Sequence, residues 1–182
     1  MAVWLALGVS CVATTLLSWR QEPHVMALSA SQVAAAVTHS DRGRLSNVLR
    51  QLLAGKPLEF AVVGGSISAG STLGIHRRTS NWLWHGRVFQ WLNHTYPNAE
   101  HRRINGAVPA STPAYVEGCL SFHVPTSVDL IFMEYSVNSP EPREYERLLR
   151  RLLRYPKRPA GMVASMLSCP GHAHAHGACS RC

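Results

Sequence analysis

The chain has 182 residues, of which 46% are hydrophobic and 15% are charged. This composition excludes an intrinsically disordered chain, which combines low hydrophobicity with high net charge, and a coiled coil, which is richer in Glu, Lys and Arg. The formal net charge of +8 is compatible with nucleic acid, an anionic membrane or an acidic polysaccharide as partner, and most simply with a solvated basic surface. Asp41 and Asp129 are the only aspartates, so a mechanism that needs an aspartate has few candidates.

The amino-terminal residues 1–19 carry no charged side chain, and Arg20 ends this apolar run. The run predicts a secretory signal peptide or a membrane anchor over residues 1–20, with a buried helix as the alternative. It is atypical of a signal peptide because no Lys or Arg precedes it and because it is long. A glycosylation sequon at Asn93 is compatible with the secretory pathway. The predicted location is therefore secreted or extracellular, with membrane anchoring as the alternative.

After this run, the hydrophobic pattern alternates between helical and strand periodicity. Segments at 27–38 and 44–54 favour helices, and together they predict a helical lead-in over residues 21–57. The apolar run at 58–63 predicts a buried strand that ends in a tight Gly-Gly turn. The further predicted elements are, in chain order, a helix at 81–96, a strand at 102–108, a helix at 111–120, a strand at 128–135, a helix at 143–154 and a strand at 160–167.

This alternation of strands and helices predicts an α/β fold, in which a parallel sheet carries helices on both faces. In such sheets the functional groups collect beyond the carboxyl ends of the strands. Polar segments follow the first three predicted strands: GGSISAG at 64–70, NGAVPAST at 105–112 and EYSVNS at 134–139. A serine in a Gly-rich turn can act as a nucleophile, and N–H groups with an asparagine amide can form an oxyanion hole. A phosphate-binding loop or a plain turn at 64–70 is the alternative, although no lysine follows as in a P-loop.

Other conspicuous side chains have structural interpretations. The helical spacing of Trp84 and Trp91 favours core packing over a ligand cage. Cys119 is expected to be a small buried hydrophobic residue. The arginines of the predicted helix at 143–154 favour a solvated face over a nucleic-acid patch.

The carboxyl-terminal segment 169–182 alternates His with Ala and Gly and is rich in Cys. Cys179 and Cys182 have the spacing of one half of a zinc site, but the segment offers no core that would order the ligands. We therefore predict a low-complexity tail rather than a metal site, and we expect no cofactor or metal.

The three polar segments together resemble the GDSL/SGNH hydrolases. Gly65-Ser66-Ile67-Ser68 after an apolar strand is similar to block I of that family, and residues 105–112 and 134–138 resemble blocks II and III in the same order. The resemblance implies a partial SGNH hydrolase-like domain over residues 58–168. Its implied fold is a flavodoxin-like three-layer α/β/α sandwich with a mostly parallel sheet, incomplete at its carboxyl end. Members of the family are mostly esterases, lipases and carbohydrate deacetylases.

The resemblance also implies roles for individual residues. Ser66 is the implied nucleophile, and the implied oxyanion hole combines the Ser66 N–H, a block II N–H and the Asn138 side chain. Ala110 stands where block II usually has glycine, and it can serve as donor only if its backbone does not need a positive φ. Gly106 is the alternative block II donor.

The main departure from the family is the missing base. The family carries Asp-x-x-His near its carboxyl end, where the His activates the serine, but no aspartate follows Asp129 here. A serine hydroxyl without an adjacent base is a poor nucleophile. The only later histidines are His172, His174 and His176 in the tail. We therefore expect the domain to be cut short, as in a fragment or after a change of reading frame.

Two functions remain open from the sequence. The first is a serine esterase that acts on ester or acetyl groups of glycans or lipids, although this chain lacks the expected catalytic His. The second is a hydrolase-like module that binds a glycan in the same cleft without turnover, with Trp82 and Trp84 as candidates to stack on sugar rings. The expected partner is a small-molecule or glycan ester, and nucleic acid is not expected.

Overall fold

The computed structural model describes residues 29–38, 42–73, 78–138 and 141–165. The chain divides into two units, Met1–Ser40 and Asp41–Cys182. In the described part of the first unit, helix α1 spans Ala30–Ala36 and begins with a capping box, in which Ser29 and Gln32 exchange side-chain-to-backbone hydrogen bonds. The predicted signal peptide or anchor over 1–20 and the tail over 169–182 lie outside the described residues.

The second unit contains the alternating elements that the sequence predicts. Its strands are β1 (Glu59–Gly64), β2 (Arg102–Asn105), β3 (Leu130–Glu134) and β4 (Ala160–Val163). Its helices are α2 (Gly43–Leu53), α3 (Ser66–Ala69), α4 (Trp84–Thr95), α5 (Pro113–Gly118), α6 (Leu120–His123) and α7 (Pro142–Leu152), with a 3₁₀ turn at Ser71–Leu73. None of the helices within the described ranges combines the length and the hydropathy that crossing a membrane requires.

The described strands form one parallel sheet in the order β2-β1-β3-β4. This is the strand order with which a flavodoxin-like doubly wound sheet begins. Val62 of β1 lies opposite Asn105 of β2, and Gly64 of β1 lies opposite Glu134 of β3. The carboxyl ends of β1, β2 and β3 therefore meet at one edge of the sheet. The predicted α/β fold with a parallel sheet is confirmed.

Two apolar cores lie on opposite faces of the sheet, because side chains alternate across a strand. Phe60 and Val62 belong to the core with α2 and α4, whereas Ala61 and Val63 belong to the core with α5, α6 and α7. The Phe60 ring meets the Phe132 ring edge-on at 5.5 Å. Burial of such a side chain stabilises the fold by about 1.5–3 kcal/mol. Because both faces of the sheet are buried, the strand sequences are nearly continuous apolar runs.

Helix α2 buries a narrower face than its sequence suggests. Val48 and Leu52 are buried, but Leu45 and Leu49 are 41% and 45% exposed. The helix packs at the β4 side of the sheet. Its Arg44 guanidinium donates to the carbonyls of residues 153 and 159, at 2.9 Å and 3.3 Å. These hydrogen bonds attach helix α2 to the segment before β4, on a helix whose apolar face is partly exposed to solvent.

Two of the packing predictions are wrong. Trp91 is 61% exposed because the buried face of α4 runs through His85 and Leu92, and Trp91 is rotated by about 100° from Leu92. Cys119 is exposed because it lies at the junction of α5 and α6 rather than on their inner face. Trp84, by contrast, is half-buried and packs against the core on its face of the sheet.

Candidate active site

Ser66 lies at the sharp turn between β1 and α3. The Gly65 N–H donates to the backbone carbonyl of Glu134 in β3 at 3.1 Å, and the next residue, Ser66, is the first residue of the one-turn helix α3. Gly70, with a φ of 80°, ends this helix. The Ser66 side chain is half-buried, and its N–H is among those that the first turn of a helix leaves without a helical partner.

Asn138 lies directly against this turn. Its N–H donates to the Tyr135 carbonyl at 2.9 Å, which closes the turn after β3. A Cβ atom at Gly65 would lie 2.5 Å from the Asn138 Cγ atom and even closer to Oδ1. Only glycine therefore allows the amide to approach the Gly65–Ser66 peptide so closely. Two of the predicted site residues, Ser66 and Asn138, are brought together by the pairing of β1 with β3.

The loop that carries Ala110 is bound to the same strand end. The Val108 N–H donates to the Gly64 carbonyl at 3.0 Å, and the Ser111 hydroxyl donates to the Val108 carbonyl at 2.8 Å. Ala110 is exposed and has a φ of 57°, so the condition that its backbone avoids a positive φ is not met. Alanine adopts this left-handed region at a cost of about 1–2 kcal/mol. Within the described ranges, the Ala110 N–H has no backbone acceptor.

Gly106 cannot serve as the alternative donor. Its N–H donates to the Val62 carbonyl at 2.9 Å and so extends the pairing of β1 and β2. A Cβ atom there would lie 2.5 Å from the His123 carbonyl oxygen. Gly106 is thus needed for a close backbone approach rather than for a free N–H group.

A buried polar cluster lies behind the turn. The Ser68 hydroxyl donates to Glu134 Oε2 at 2.9 Å and accepts from Trp84 Nε1 at 3.0 Å. Ser136 donates to the other Glu134 oxygen at 3.3 Å. Glu134 is fully buried, and a buried carboxylate is tolerated only when it is hydrogen-bonded. The cluster therefore holds helix α3, and with it Ser66, on the end of β3.

His85 of α4 and Asn105 of β2 complete this cluster. His85 Nε2 and Asn105 Nδ2 both lie 3.0 Å from the Ser68 carbonyl oxygen, so His85 carries its proton on Nε2. The Nδ1 atom of His85 is buried without a partner. Burial disfavours the imidazolium and lowers the pKa of His85 to about 4; the Ser68 carbonyl opposes this shift and the charge of Arg103 adds to it. His85 is therefore neutral near pH 7.

Sequence reasoning missed this cluster. Glu134 is the last residue of an apolar strand in the sequence, and a charged residue in such a run is the one feature that could have indicated a buried polar cluster. His85 carries no recognisable motif, and Ser68 belongs to the block I segment without a role that the sequence assigns to it. Their roles depend on contacts between elements that are distant in the chain.

No histidine in the described part of the chain is hydrogen-bonded to the Ser66 hydroxyl. His85 bonds to the Ser68 carbonyl behind the turn, and His94 is exposed on α4. His101 lies at the other end of the sheet, where it accepts from the Leu58 N–H at 2.8 Å. The tail histidines proposed from the sequence lie outside the described residues. The described ranges also contain no group of three or more His, Cys, Asp or Glu side chains placed to hold a metal ion.

The two tryptophans expected near the cleft differ in their environments. Trp84 is held by its hydrogen bond to Ser68. Trp82 is 73% exposed, and the Arg87 guanidinium lies 4.8 Å from the centre of its ring. Of these two rings, Trp82 offers the more exposed aromatic face.

Comparisons with known proteins bear on the fold. No protein-family model matches the chain, and no curated protein matches it. Among solved structures, the chain is similar to a two-domain esterase active on acetylated mannans, with 24% identity, a TM-score of 0.62 and coverage of 70% of this chain and 35% of that one. A second structure of such an esterase, co-crystallized with mannopentaose, matches with 23% identity, a TM-score of 0.57 and coverage of 68% and 34%. The chain thus spans about a third of the length of each, and the likeness establishes that it shares the α/β fold of an esterase.

Proposed function

We propose that this chain carries a serine esterase site of SGNH type that removes acetyl or other short acyl groups from glycans. The observation that carries the proposal is the packing of the Asn138 amide against Gly65, next to the half-buried Ser66. This contact joins a hydroxyl nucleophile and an amide donor at the carboxyl end of two adjacent strands. The likeness to an esterase active on acetylated mannans supports a glycan ester as the substrate class.

The mechanism follows from these groups. The Ser66 hydroxyl oxygen attacks the carbonyl carbon of the ester, and the negative charge that develops on the carbonyl oxygen is stabilised by the Ser66 N–H group and the Asn138 amide. The bond between the acyl carbon and the sugar oxygen breaks, and the sugar oxygen takes up the proton that Ser66 lost. Water then attacks the acyl carbon, the bond to the Ser66 oxygen breaks, and a proton from the water restores the serine hydroxyl. The proton of Ser66 needs an acceptor, and the candidates for it in the sequence are His172, His174 and His176, which follow β4 in the chain.

We further propose the organisation of the chain around this site. Residues 1–20 are a signal peptide or membrane anchor, residues 21–57 are the helical lead-in, residues 58–168 are the partial SGNH-like domain and residues 169–182 are the tail. The apolar run before Arg20 and the sequon at Asn93 support a secreted location.

A second candidate function is a glycan-binding module without turnover. It is favoured by the absence, within the described residues, of a histidine bonded to the Ser66 hydroxyl. The exposed Trp82 ring is a candidate platform for a sugar ring. Retention of the hydrolase fold with loss of the base would produce such a module.

The test compares wild type, Ser66→Ala and Ser71→Ala in hydrolysis of p-nitrophenyl acetate and in acetate release from acetylated manno-oligosaccharides. Ser71 is an exposed serine of the neighbouring 3₁₀ turn and is the matched control. For an esterase we expect Ser66→Ala to lower kcat/KM by about 100-fold or more, and Ser71→Ala to leave it unchanged.

A fluorophosphonate probe adds an independent readout, because it labels only a serine whose hydroxyl is activated. Labelling at Ser66, located by peptide mass, would support the esterase. Equal hydrolysis by wild type and Ser66→Ala would refute it. Binding of mannopentaose without labelling or turnover would favour the binding module.

A further inference from the structure

Helix α7 carries a stripe of arginines that the proposed esterase site does not use. Arg147, Arg150 and Arg151 lie on one side of the helix at helical spacing, and Arg154 follows two residues after the helix ends. With Glu117 of α5 they line a groove on the protein surface. Four arginines against one glutamate make this lining strongly basic.

Only part of this positive charge is neutralised. Arg147 pairs with Glu117 at 3.2 Å, and Arg150 pairs with Glu146 of its own helix at 2.6 Å. The Arg151 guanidinium donates to the backbone carbonyl of Glu117 rather than to a carboxylate. Within the described ranges, neither Arg151 nor Arg154 has a carboxylate at ion-pairing distance. The groove therefore retains uncompensated guanidinium groups.

Packing of the helix does not explain the stripe. Helix α7 contacts the sheet core through Leu148 and Leu152, which are buried. The side chains of Arg147 and Arg150 are 60% and 69% exposed. Like charges at this spacing repel each other and destabilise a helix slightly, so a ligand of opposite charge would relieve a cost that the fold alone carries.

The groove lies along the carboxyl-terminal parts of two helices that begin near the candidate site. Helix α5 starts at Pro113, shortly after Ala110, and α7 starts at Pro142, shortly after Asn138. At a rise of about 1.5 Å per residue, Arg147 lies about 7 Å along α7 from Pro142. The two helices that bound the groove thus start from loops that carry site residues, and the groove leads away from that edge of the sheet.

We propose that this groove binds a polyanionic polysaccharide, whose sulfate or uronate groups are held by the arginines. Guanidinium groups match such planar or tetrahedral oxyanions with paired hydrogen bonds. Single-stranded nucleic acid is disfavoured because no aromatic side chain lines the groove for base stacking. The proposal does not depend on ester hydrolysis, since a non-catalytic chain would bind in the same way.

The experiment measures binding of dextran sulfate, neutral dextran and a single-stranded DNA oligonucleotide to the full chain by fluorescence anisotropy. The test variant is Arg150→Gln with Arg154→Gln, because neither side chain forms a hydrogen bond or an ion pair with another element of the described chain. The control is Arg42→Gln with Arg50→Gln on α2, an equal charge change on the opposite face of the sheet, where Arg50 also has a partner in its own helix.

We expect dextran sulfate to bind, neutral dextran not to bind, and the α7 pair to raise the Kd for dextran sulfate about five- to tenfold. The α2 pair should change this Kd less than twofold. Equal weakening by both pairs would overturn the proposal, because it would indicate a response to net charge alone. Tighter binding of the DNA oligonucleotide than of dextran sulfate would also overturn it. Circular dichroism of each variant checks that the fold is retained, and Arg154→Gln alone serves if the pair unfolds.

Discussion

The two ends of the parallel sheet use polar side chains differently. At the amino end, Asp129 accepts from the Glu59 N–H at 2.9 Å and pairs with Lys157 at 3.1 Å. His101 there uses both ring nitrogens, with the Leu58 N–H and the Tyr96 carbonyl. Each of these contacts links the start of a strand to a neighbouring segment, so the polar side chains at this end stabilise the fold.

At the carboxyl end, the polar groups form two layers. Glu134, Ser68 and His85 are buried and hold the turn from behind. In front of them, Ser66 is half-buried and Ala110 is exposed. Polar groups that are hydrogen-bonded within the fold, as at the amino end, are explained by stability, whereas a group without a backbone partner, such as the Ala110 N–H at the carboxyl end, remains available to a ligand. Asp129, one of the two aspartates of the chain, has a structural role.

The largest effect on activity is expected from adding one methyl group at Gly65, at the carboxyl end of the sheet. Gly65→Ala places a Cβ atom within 2.5 Å of the Asn138 side chain, so the amide must leave its position beside Ser66. We expect kcat/KM for p-nitrophenyl acetate to fall about 100-fold, the usual effect of losing one oxyanion donor. Gly118→Ala is the control, because its Cβ atom would meet open space. Unchanged hydrolysis by Gly65→Ala would show that the Asn138 amide does not act on the oxyanion.

Acid should destabilise the carboxyl end through His85. Its pKa is about 4 in the folded state and about 6.5 when unfolded, so between these values the unfolded chain binds a proton that the folded chain excludes. This contribution is fully present above pH 6.5 and is lost as the pH falls towards 4. We expect the free energy of unfolding in urea to drop by about 2–3 kcal/mol over this window.

The control for this prediction uses another histidine of α4. His94→Gln, at an exposed position, should leave the pH profile unchanged, whereas His85→Gln should flatten it between pH 6.5 and 5. An identical slope in wild type and His85→Gln would contradict the assignment of the profile to His85.

At the amino end, Asp129→Ala should lower stability and leave the site intact. It removes the acceptor of the Glu59 N–H and the partner of Lys157, and we expect a loss of about 1–2 kcal/mol in urea denaturation. Asp129→Asn keeps an acceptor and should cost about half as much. Esterase activity per folded molecule should equal that of wild type in both variants. A specific loss of activity would break the distinction between the two ends.

The smallest effect is expected at Ala110. Glycine adopts its φ of 57° without strain but loses more backbone entropy on folding, so Ala110→Gly should raise the free energy of unfolding by about 0.5–1 kcal/mol. Ala110→Val should lower it, because a β-branched residue fits this region poorly. Thermal denaturation gives both values. A loss of stability in Ala110→Gly would indicate that the loop leaves this conformation in solution.

Much of the fold could be predicted from the sequence because it depends on local periodicity. The order of strands and helices, the parallel sheet and the inward Leu148 and Leu152 of α7 all follow from that pattern. Predictions about exposure failed for Cys119 and Trp91, because burial depends on where an element meets its neighbours. In α4, a rotation of one residue separates the exposed Trp91 from the buried Leu92.

The alternating α/β order and the three polar segments at the strand ends can be predicted from the sequence alone, because strand and helix periodicities are local properties of the chain. Which side chains contact each other depends on the tertiary structure. The tertiary structure places Asn138 against Gly65 and hydrogen-bonds the buried Glu134 to Ser68. It also uses the Gly106 N–H to bond the Val62 carbonyl of the neighbouring strand. Strand register and helix packing decide these contacts, and the partners in each pair are separated by tens of residues in the chain.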